Sequence, residues 1–241
     1  MVGLISDIGL KRSLNEDCAS YYENDWLKLY VVADGMGGHN AGEVASRIAV
    51  DEIINYVKNN LEKNIDEDLL IDAISEANKI IFEYAKTNSK LNGMGTTVTA
   101  CMITKKYIQV ANVGDSSCFG INRKEKIIKK LTKDHSLVQE LIDSGSISEI
   151  DAVHHPNKNI ITRALGTESK VCVDIFPIQN TLYDMYMLCS DGLTNEITKE
   201  KLLELVLEEE EYDKMAEKLV EQAKENGGRD NITVLLFGGE M

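Results

Sequence analysis

The apolar positions of the chain follow two periods. Gly3 to Ile8, Ala19 to Glu23 and Leu27 to Ala33 are short runs bounded by polar turns, and they predict strands. The helical period takes over at about Gly42 to Asn59, where Val44, Ile48, Ala49, Ile53, Tyr56 and Val57 share one face. It recurs at about Glu67 to Thr87 with Leu70, Ala73, Ile74, Ala77, Ile81 and Tyr84. Strand patterns return at Thr96 to Thr104, Tyr107 to Val113, Ser117 to Ile121 and Lys126 to Leu131. Ser136-Leu137-Val138-Gln139 reads as a capping box opening a short helix that Gly145 closes. From Ser146 to Lys158 the pattern dissolves into a polar loop with His154, His155 and Pro156. Val171 to Ile178 and Met185 to Cys189 predict strands, about Lys199 to Glu208 and Asp213 to Lys224 predict helices, and Asn231 to Phe237 predicts a last strand. The order is strands, two helices, strands, two helices, strand. It suits an α+β fold, a two-layer sheet core with helices outside, better than alternating β-α units.

The chain is organised around Asp34-Gly35-Met36-Gly37-Gly38, where the glycines are expected to end the apolar run Leu29 to Ala33 in a tight turn. A carboxylate is thereby left at the mouth of a buried strand. A dinucleotide loop occupies a similar place, but its G-x-G-x-x-G pattern fails at Asn40, and Asp34 repels a pyrophosphate. A G-x-x-x-x-G-K-[ST] phosphate loop is absent as well. Three further acidic residues stand at ends of buried runs: Asp115 after Gly114, Asp191 before Gly192, and Asp230 before the last strand. Glu16 lies in a polar turn. Carboxylates at such places serve as caps and turn formers. If these converge in space, they instead make an all-oxygen site suited to hard cations such as Mg²⁺ or Mn²⁺.

Composition narrows the function classes. The chain has 241 residues, 43% of them hydrophobic, enough for one sizeable core. Its 26 basic and 40 acidic residues give a net charge of −14, and no basic cluster supplies a nucleic-acid face. Five cysteines (Cys18, Cys101, Cys118, Cys172, Cys189) show neither an even count nor C-x-x-C spacing, which fits a reducing compartment. The first residues lack a signal-peptide pattern, and no apolar stretch approaches the roughly 18 residues of a membrane span. A soluble protein of the cytoplasm is expected.

The sequence around Asp34-Gly35-Met36-Gly37-Gly38-His39, with Gly42-Glu43 and Ala45-Ser46, resembles the signature of metal-dependent Ser/Thr protein phosphatases of type 2C in their bacterial form. Arg12-x-x-Asn15-Glu16-Asp17 is similar to the family's first motif. Gly95-Thr96-Thr97, Asn112-Val113-Gly114-Asp115-Ser116, Thr132-Lys133-Asp134-His135-Ser136, Thr162-Arg163-Ala164-Leu165-Gly166, Ser190-Asp191-Gly192-Leu193 and Asp230-Asn231-Ile232-Thr233 follow in family order. The resemblance implies a single phosphatase domain over 1–241 with a flap at about 136–160. Its fold would be a four-layer α-β-β-α sandwich of two mainly antiparallel sheets. Two core ions, Mn²⁺ or Mg²⁺, would sit at one end of the sheets, with a possible third beside them.

In that scheme Asp34 bridges both ions with help from the Gly35 carbonyl, Asp191 and Asp230 hold the first ion, and Glu16 holds the second. Asp115 with Asp191 resembles the ligands of the third, and Arg12 holds the substrate phosphate. The implied reaction is hydrolysis of phosphoserine and phosphothreonine by water activated between the ions. Phosphorylated proteins are the implied partners, including substrates of a cognate Ser/Thr kinase and the kinase itself; a monomer without nucleic-acid or membrane binding is expected. Asn15 and Asp17 are expected only to shape their turn. His135 is read as a capping or packing residue, and His154-His155 as part of either the flap or a plain surface loop. Cys18 is read as an inert thiol. Ser117 departs from the pattern, because Arg usually follows Gly-Asp-Ser in the family.

Overall fold

Successive side chains of the apolar strands enter different cores, which is why these strands read as nearly continuous hydrophobic runs. In β3 (Leu27–Met36), Leu27, Leu29, Val31 and Ala33 pack under helices, whereas Tyr30 and Val32 face a second sheet. The pattern repeats in β10 (Met185–Cys189) and β11 (Ile232–Gly238). There Met187 and Val234 lie under helices, while Leu188, Leu235 and Phe237 point between the sheets. A computed structural model describes residues 1–37, 41–61, 67–87, 91–153, 155–179 and 182–241.

One sheet has the order β1 (Val2–Asp7), β11, β10, β7 (Ser117–Asn122), β8 (Ile127–Lys130). The other runs β2 (Asp17–Glu23), β3, β5 (Val98–Thr104), β6 (Ile108–Val113), β9 (Asp174–Ile178), with β4 (Gly95–Thr96) paired to the end of β3. All these pairings are antiparallel. Helices α1 (Ala41–Asn60) and α2 (Leu69–Thr87) cover the β3 sheet, with Ala45, Ala49, Ile53 and Val57 forming the buried stripe of α1. Helices α6 (Lys199–Leu207) and α7 (Tyr212–Glu225) cover the other sheet. The four-layer order is therefore helices, sheet, sheet, helices.

Three expectations need adjustment. The third strand does not end at Ala33; it continues through Asp34 and Gly35 to Met36, because Gly35 and Met36 pair with Thr96 and Gly95. The loop expected over Ser146 to Lys158 contains a short helix, α4 (Glu149–Val153), beside α3 (Leu137–Asp143). The capping box is half made. Ser136 Oγ accepts from the Gln139 N–H at 3.3 Å, but the Gln139 amide turns to Asp143 rather than back to the cap. Gly145 does close α3, at φ +72°. Gly38, His39, Asn40 and His154 lie outside the described residues. Among the described residues no helix is long and apolar enough to cross a membrane.

Between the sheets lies a stack of aromatic rings. Tyr30 and Phe237 have ring centroids 3.6 Å apart at 7°, and Tyr186, the cross-strand partner of Phe237, stacks with it at 5.8 Å. Truncating Phe237→Ala should lower the unfolding free energy by about 3–5 kcal/mol in urea denaturation. Phe237→Leu should lose far less. Equal, small losses would show that the sheets are not held by this stack.

Candidate active site

Antiparallel pairing decides which residues meet. β1, β3, β6 and β10 all end at one edge of the sandwich, and β2, β7 and β11 begin there. Arg12 and Glu16 lie in the loop from β1 to β2, and Asp17 opens β2 directly opposite Asp34 of β3. Asp115 sits on the crossing from β6 to β7. Asp191 begins α5 (Asp191–Thr194) just after β10, and Asp230 precedes β11. Residues as far apart in sequence as 12 and 230 are thus neighbours.

Arg12 Nη2 donates to Asp230 Oδ2 at 2.8 Å, and its other terminal nitrogen lies 4.0 Å from Glu16 Oε2. Glu16 is fixed through its backbone: its N–H donates to Asn231 Oδ1 at 2.8 Å, and its carbonyl accepts from Gly35 N at 3.1 Å and Ser46 Oγ at 2.6 Å. Gly42 lies against both Glu16 and Gly35. A Cβ there would stand 2.5 Å from Glu16 Oε1 and 2.9 Å from the Gly35 carbonyl oxygen, so only glycine lets these two oxygens approach. Asp34 is anchored by Thr97, which accepts the Asp34 N–H on Oγ1 at 3.0 Å and donates its own N–H to the Asp34 carbonyl at 2.8 Å. Asp191 Oδ2 accepts from Asn195 Nδ2 at 2.9 Å.

Burial and mutual repulsion raise most of these carboxylates. Asp34 lies well above the usual range, through burial first and then the charges of Asp17, Asp191, Asp115 and Asp230. Burial, with Asp191 and Asp134 nearby, pushes Asp115 up to about 8. Asp191 rises to about 6 by burial and the charge of Asp230. Glu16 is raised by burial against the opposing pull of Arg12. The Arg12 guanidinium is raised, chiefly by its hydrogen bond to Asp230. Each of these residues therefore senses others of the set.

Asp17 is a correction to the sequence reading. It is buried rather than a mere turn former, and burial raises it to about 7 against the hydroxyls of Thr233 and Ser190. Both hydroxyls donate to Asp17 Oδ2 at 2.7 Å. Thr233 in turn takes the Ser6 hydroxyl proton at 2.8 Å, and Asn15 Nδ2 donates to Ser6 at 2.8 Å. Asn15 does shape the turn, accepting the Asp17 N–H on its side-chain oxygen. Asn231, singled out in the sequence only as part of a motif, ties the 8–16 loop down by donating to the Ile8 and Leu14 carbonyls. Its position beside Asp230 was the only signal available. Cys18 faces away from this chemistry, with burial raising its thiol to about 11.

The donor set is all oxygen, and the Oδ1 atoms of Asp17 and Asp115 are buried without a hydrogen-bond partner. That combination fits a hard divalent cation better than a soft one. Among the described residues no three His, Cys, Asp or Glu side chains already close on one point; the carboxylates form an acidic rim instead. Beside it, a cleft of about 300 Å³ runs from Asp115 and Asp191 beneath Val138, Ile142 and Ala152 of the 136–160 segment. Lys158 reaches across to Asn195 Oδ1 at 3.3 Å. His135 packs behind Asp115, and burial lowers its pKa.

Comparison with known proteins agrees with this layout. The profile of the family described as protein phosphatase 2C matches residues 11–236. The chain is 42% identical over 240 residues to the serine/threonine phosphatase stp of Listeria monocytogenes, covering 98% of this chain and 94% of that protein. It is 34% identical to protein phosphatase PhpP of Streptococcus pneumoniae, covering 98% and 96%. The crystal structure of serine/threonine phosphatase Stp1 from Staphylococcus aureus superposes with a TM-score of 0.90 at 34% identity, covering 100% of this chain and 95% of that one. With a family profile spanning nearly every element described above, the chain belongs to the protein phosphatase 2C family, a family of metal-dependent phosphoprotein phosphatases.

Proposed function

We propose that this chain is a single-domain serine/threonine protein phosphatase whose acidic rim holds two divalent ions, Mn²⁺ or Mg²⁺. Asp34, the Gly35 carbonyl, Asp191, Asp230 and Glu16 would hold these ions, and Asp115 with Asp191 a third. The observation that carries the reading is the meeting of five sequence-distant carboxylates and one arginine at a single sheet edge, in a chain of this family. When bound, the ions neutralise the crowded carboxylates, polarise the phosphoryl oxygens and activate the attacking water.

The chain's own residues supply position. Arg12 presents a planar fork matched to two phosphate oxygens, and its half-exposed guanidinium would hold the phosphate once Asp230 is taken up by a cation. Thr97 and Asn231 hold the Asp34 and Glu16 backbones, so these carboxylates would be presented to the ions from a fixed main chain. No side chain at the rim needs to form a bond to phosphorus. The cleft under residues 136–160 receives the peptide around the phosphorylated residue, making this segment the flap. The reading extends to a monomer acting in the cytoplasm on substrates of a cognate Ser/Thr kinase and on that kinase.

Phosphate release from a phosphothreonine peptide should require Mn²⁺ and stop with chelator. Asp191→Asn should lower turnover by about 10²-fold or more while circular dichroism is unchanged. Near-normal turnover in that variant would refute the assignment. Metal-free protein should also respond to pH in a set direction. Burial raises Asp17, Asp115 and Asp191 to about 7, 8 and 6 in the fold, above the usual range for an aspartate. Their protonated forms are stabilised by folding, so the contribution is complete below about pH 4 and disappears as pH rises through 6–8. In chelator the melting temperature should therefore fall between pH 5 and 8, and added Mn²⁺ should restore it at the upper end. A melting temperature that rises over this interval would contradict the buried-carboxylate picture.

A further inference from the structure

His135 is tied to the Asp115 strand end by more contacts than packing needs. Its Nδ1 accepts the Gly114 N–H at 3.0 Å, and its own N–H donates to the Gly114 carbonyl at 2.9 Å. Both backbone groups of Gly114, the residue immediately before Asp115, are thus bound to His135. Gly114 has φ +108°, and a Cβ there would stand 2.5 Å from Thr97, the residue that anchors Asp34, so the strand end that carries Asp115 lies beside the anchor of a second carboxylate. The carbonyl of His135 meanwhile accepts the Thr162 N–H at 2.8 Å, where the 136–160 segment rejoins the body.

The tautomer follows from these bonds. A backbone N–H can only donate, so Nδ1 must present its lone pair and the ring proton must lie on Nε2. Asp174 Oδ2 is 3.2 Å from Nε2 and is the acceptor placed to receive that proton. Asp174 Oδ1 accepts from Arg163 Nη1 at 2.6 Å, and Arg163 also donates to the Cys172 carbonyl at 3.2 Å. The 2.9 Å contact of Arg163 Nη1 with His135 Nε2 is the competing arrangement, in which Nε2 accepts; in the Nε2–H tautomer both groups are donors and share the Asp174 carboxylate. Arg163 orients Asp174, Asp174 fixes the imidazole, and the imidazole fixes Gly114.

We propose that His135 is a positioning residue for Asp115, held in its Nε2–H tautomer by the Asp174–Arg163 pair. The role rests on the reading of Asp115 as a cation ligand given above. Asp115 Oδ1 is buried without a hydrogen-bond partner, so the backbone that carries the carboxylate sets its aim. A packing role for His135 would ask only for a side chain of similar volume; the positioning role asks for an acceptor at the place of Nδ1.

Two substitutions separate the roles. Asparagine places its amide oxygen near the position of Nδ1, whereas the glutamine amide reaches toward Nε2. His135→Asn should therefore stay within about threefold of the wild type in the Mn²⁺ concentration giving half-maximal turnover of a phosphothreonine peptide. His135→Gln should raise that concentration by about tenfold, the scale seen when a group orienting a metal ligand is lost. Calorimetric Mn²⁺ binding should follow the same order without substrate. In an Asp115→Asn background, His135→Gln should add nothing further. Independently of any variant, the imidazole ¹⁵N spectrum of the metal-free wild type should show protonated Nε2 and unprotonated Nδ1. Equal behaviour of the Asn and Gln variants, additive losses, or a protonated Nδ1 would each overturn the positioning role. If Asp115→Asn itself behaves as the wild type, the assignment of Asp115 fails and the role of His135 falls with it.

Discussion

The constraint on which this molecule depends is repulsion among carboxylates that the fold buries together. Asp17, Asp34, Asp115 and Asp191 are each pushed upward, and in every case burial is the leading cause with neighbouring negative charge behind it. Such an arrangement opposes folding unless protons or cations compensate it. The frame opposes the same repulsion: two sheets stacked through Tyr30, Phe237 and Tyr186, with helical layers closing both outer faces. Apolar burial on this scale, at roughly 25 cal/mol per Å² removed from water, is what can hold an electrostatically unfavourable edge in place.

Topology turns that frame into a site. Antiparallel pairing brings strand starts and strand ends to the same edge, so carboxylates before β2 and β11 meet those near the ends of β3, β6 and β10. The side chains chosen to fix them act mainly on the backbone. Thr97 holds both backbone groups of Asp34, Asn231 takes the Glu16 N–H, and Ser46 donates to the Glu16 carbonyl. These bonds fix the main chains of Asp34 and Glu16 without using their carboxylate oxygens, which is the arrangement an electrostatic site requires.

Much of this was legible in the sequence, and what was hidden had a common reason. Period and turn residues revealed the helices, most strands and the strand-end acids, because those signals lie within a few residues of one another. The extension of β3 through Asp34 to Met36 was hidden since its cause is pairing with Thr96 and Gly95, sixty residues away. Asp17 read as a turn former because its partners, Ser190 and Thr233, are more than 170 positions distant. Asn231 and His135 are ordinary polar residues until the groups they bind are known. The helix at 149–153 escaped because five residues are too few to establish a period.

The departure at Ser117 shows how the frame and the charges interact. Where the family pattern resembled by this chain carries arginine, Ser117 is buried and its hydroxyl has no hydrogen-bond partner. A guanidinium there would lower Asp115 by direct attraction. The positive charge that acts on Asp115 instead is Lys130, whose ammonium is committed to Asp134 at 2.7 Å and is one-third exposed. Water and that second carboxylate both weaken its pull. Burial is the first cause that raises Asp115 to about 8, with the charges of Asp191 and Asp134 behind it. Together these outweigh the screened pull of Lys130 and hold the Asp115 carboxyl up.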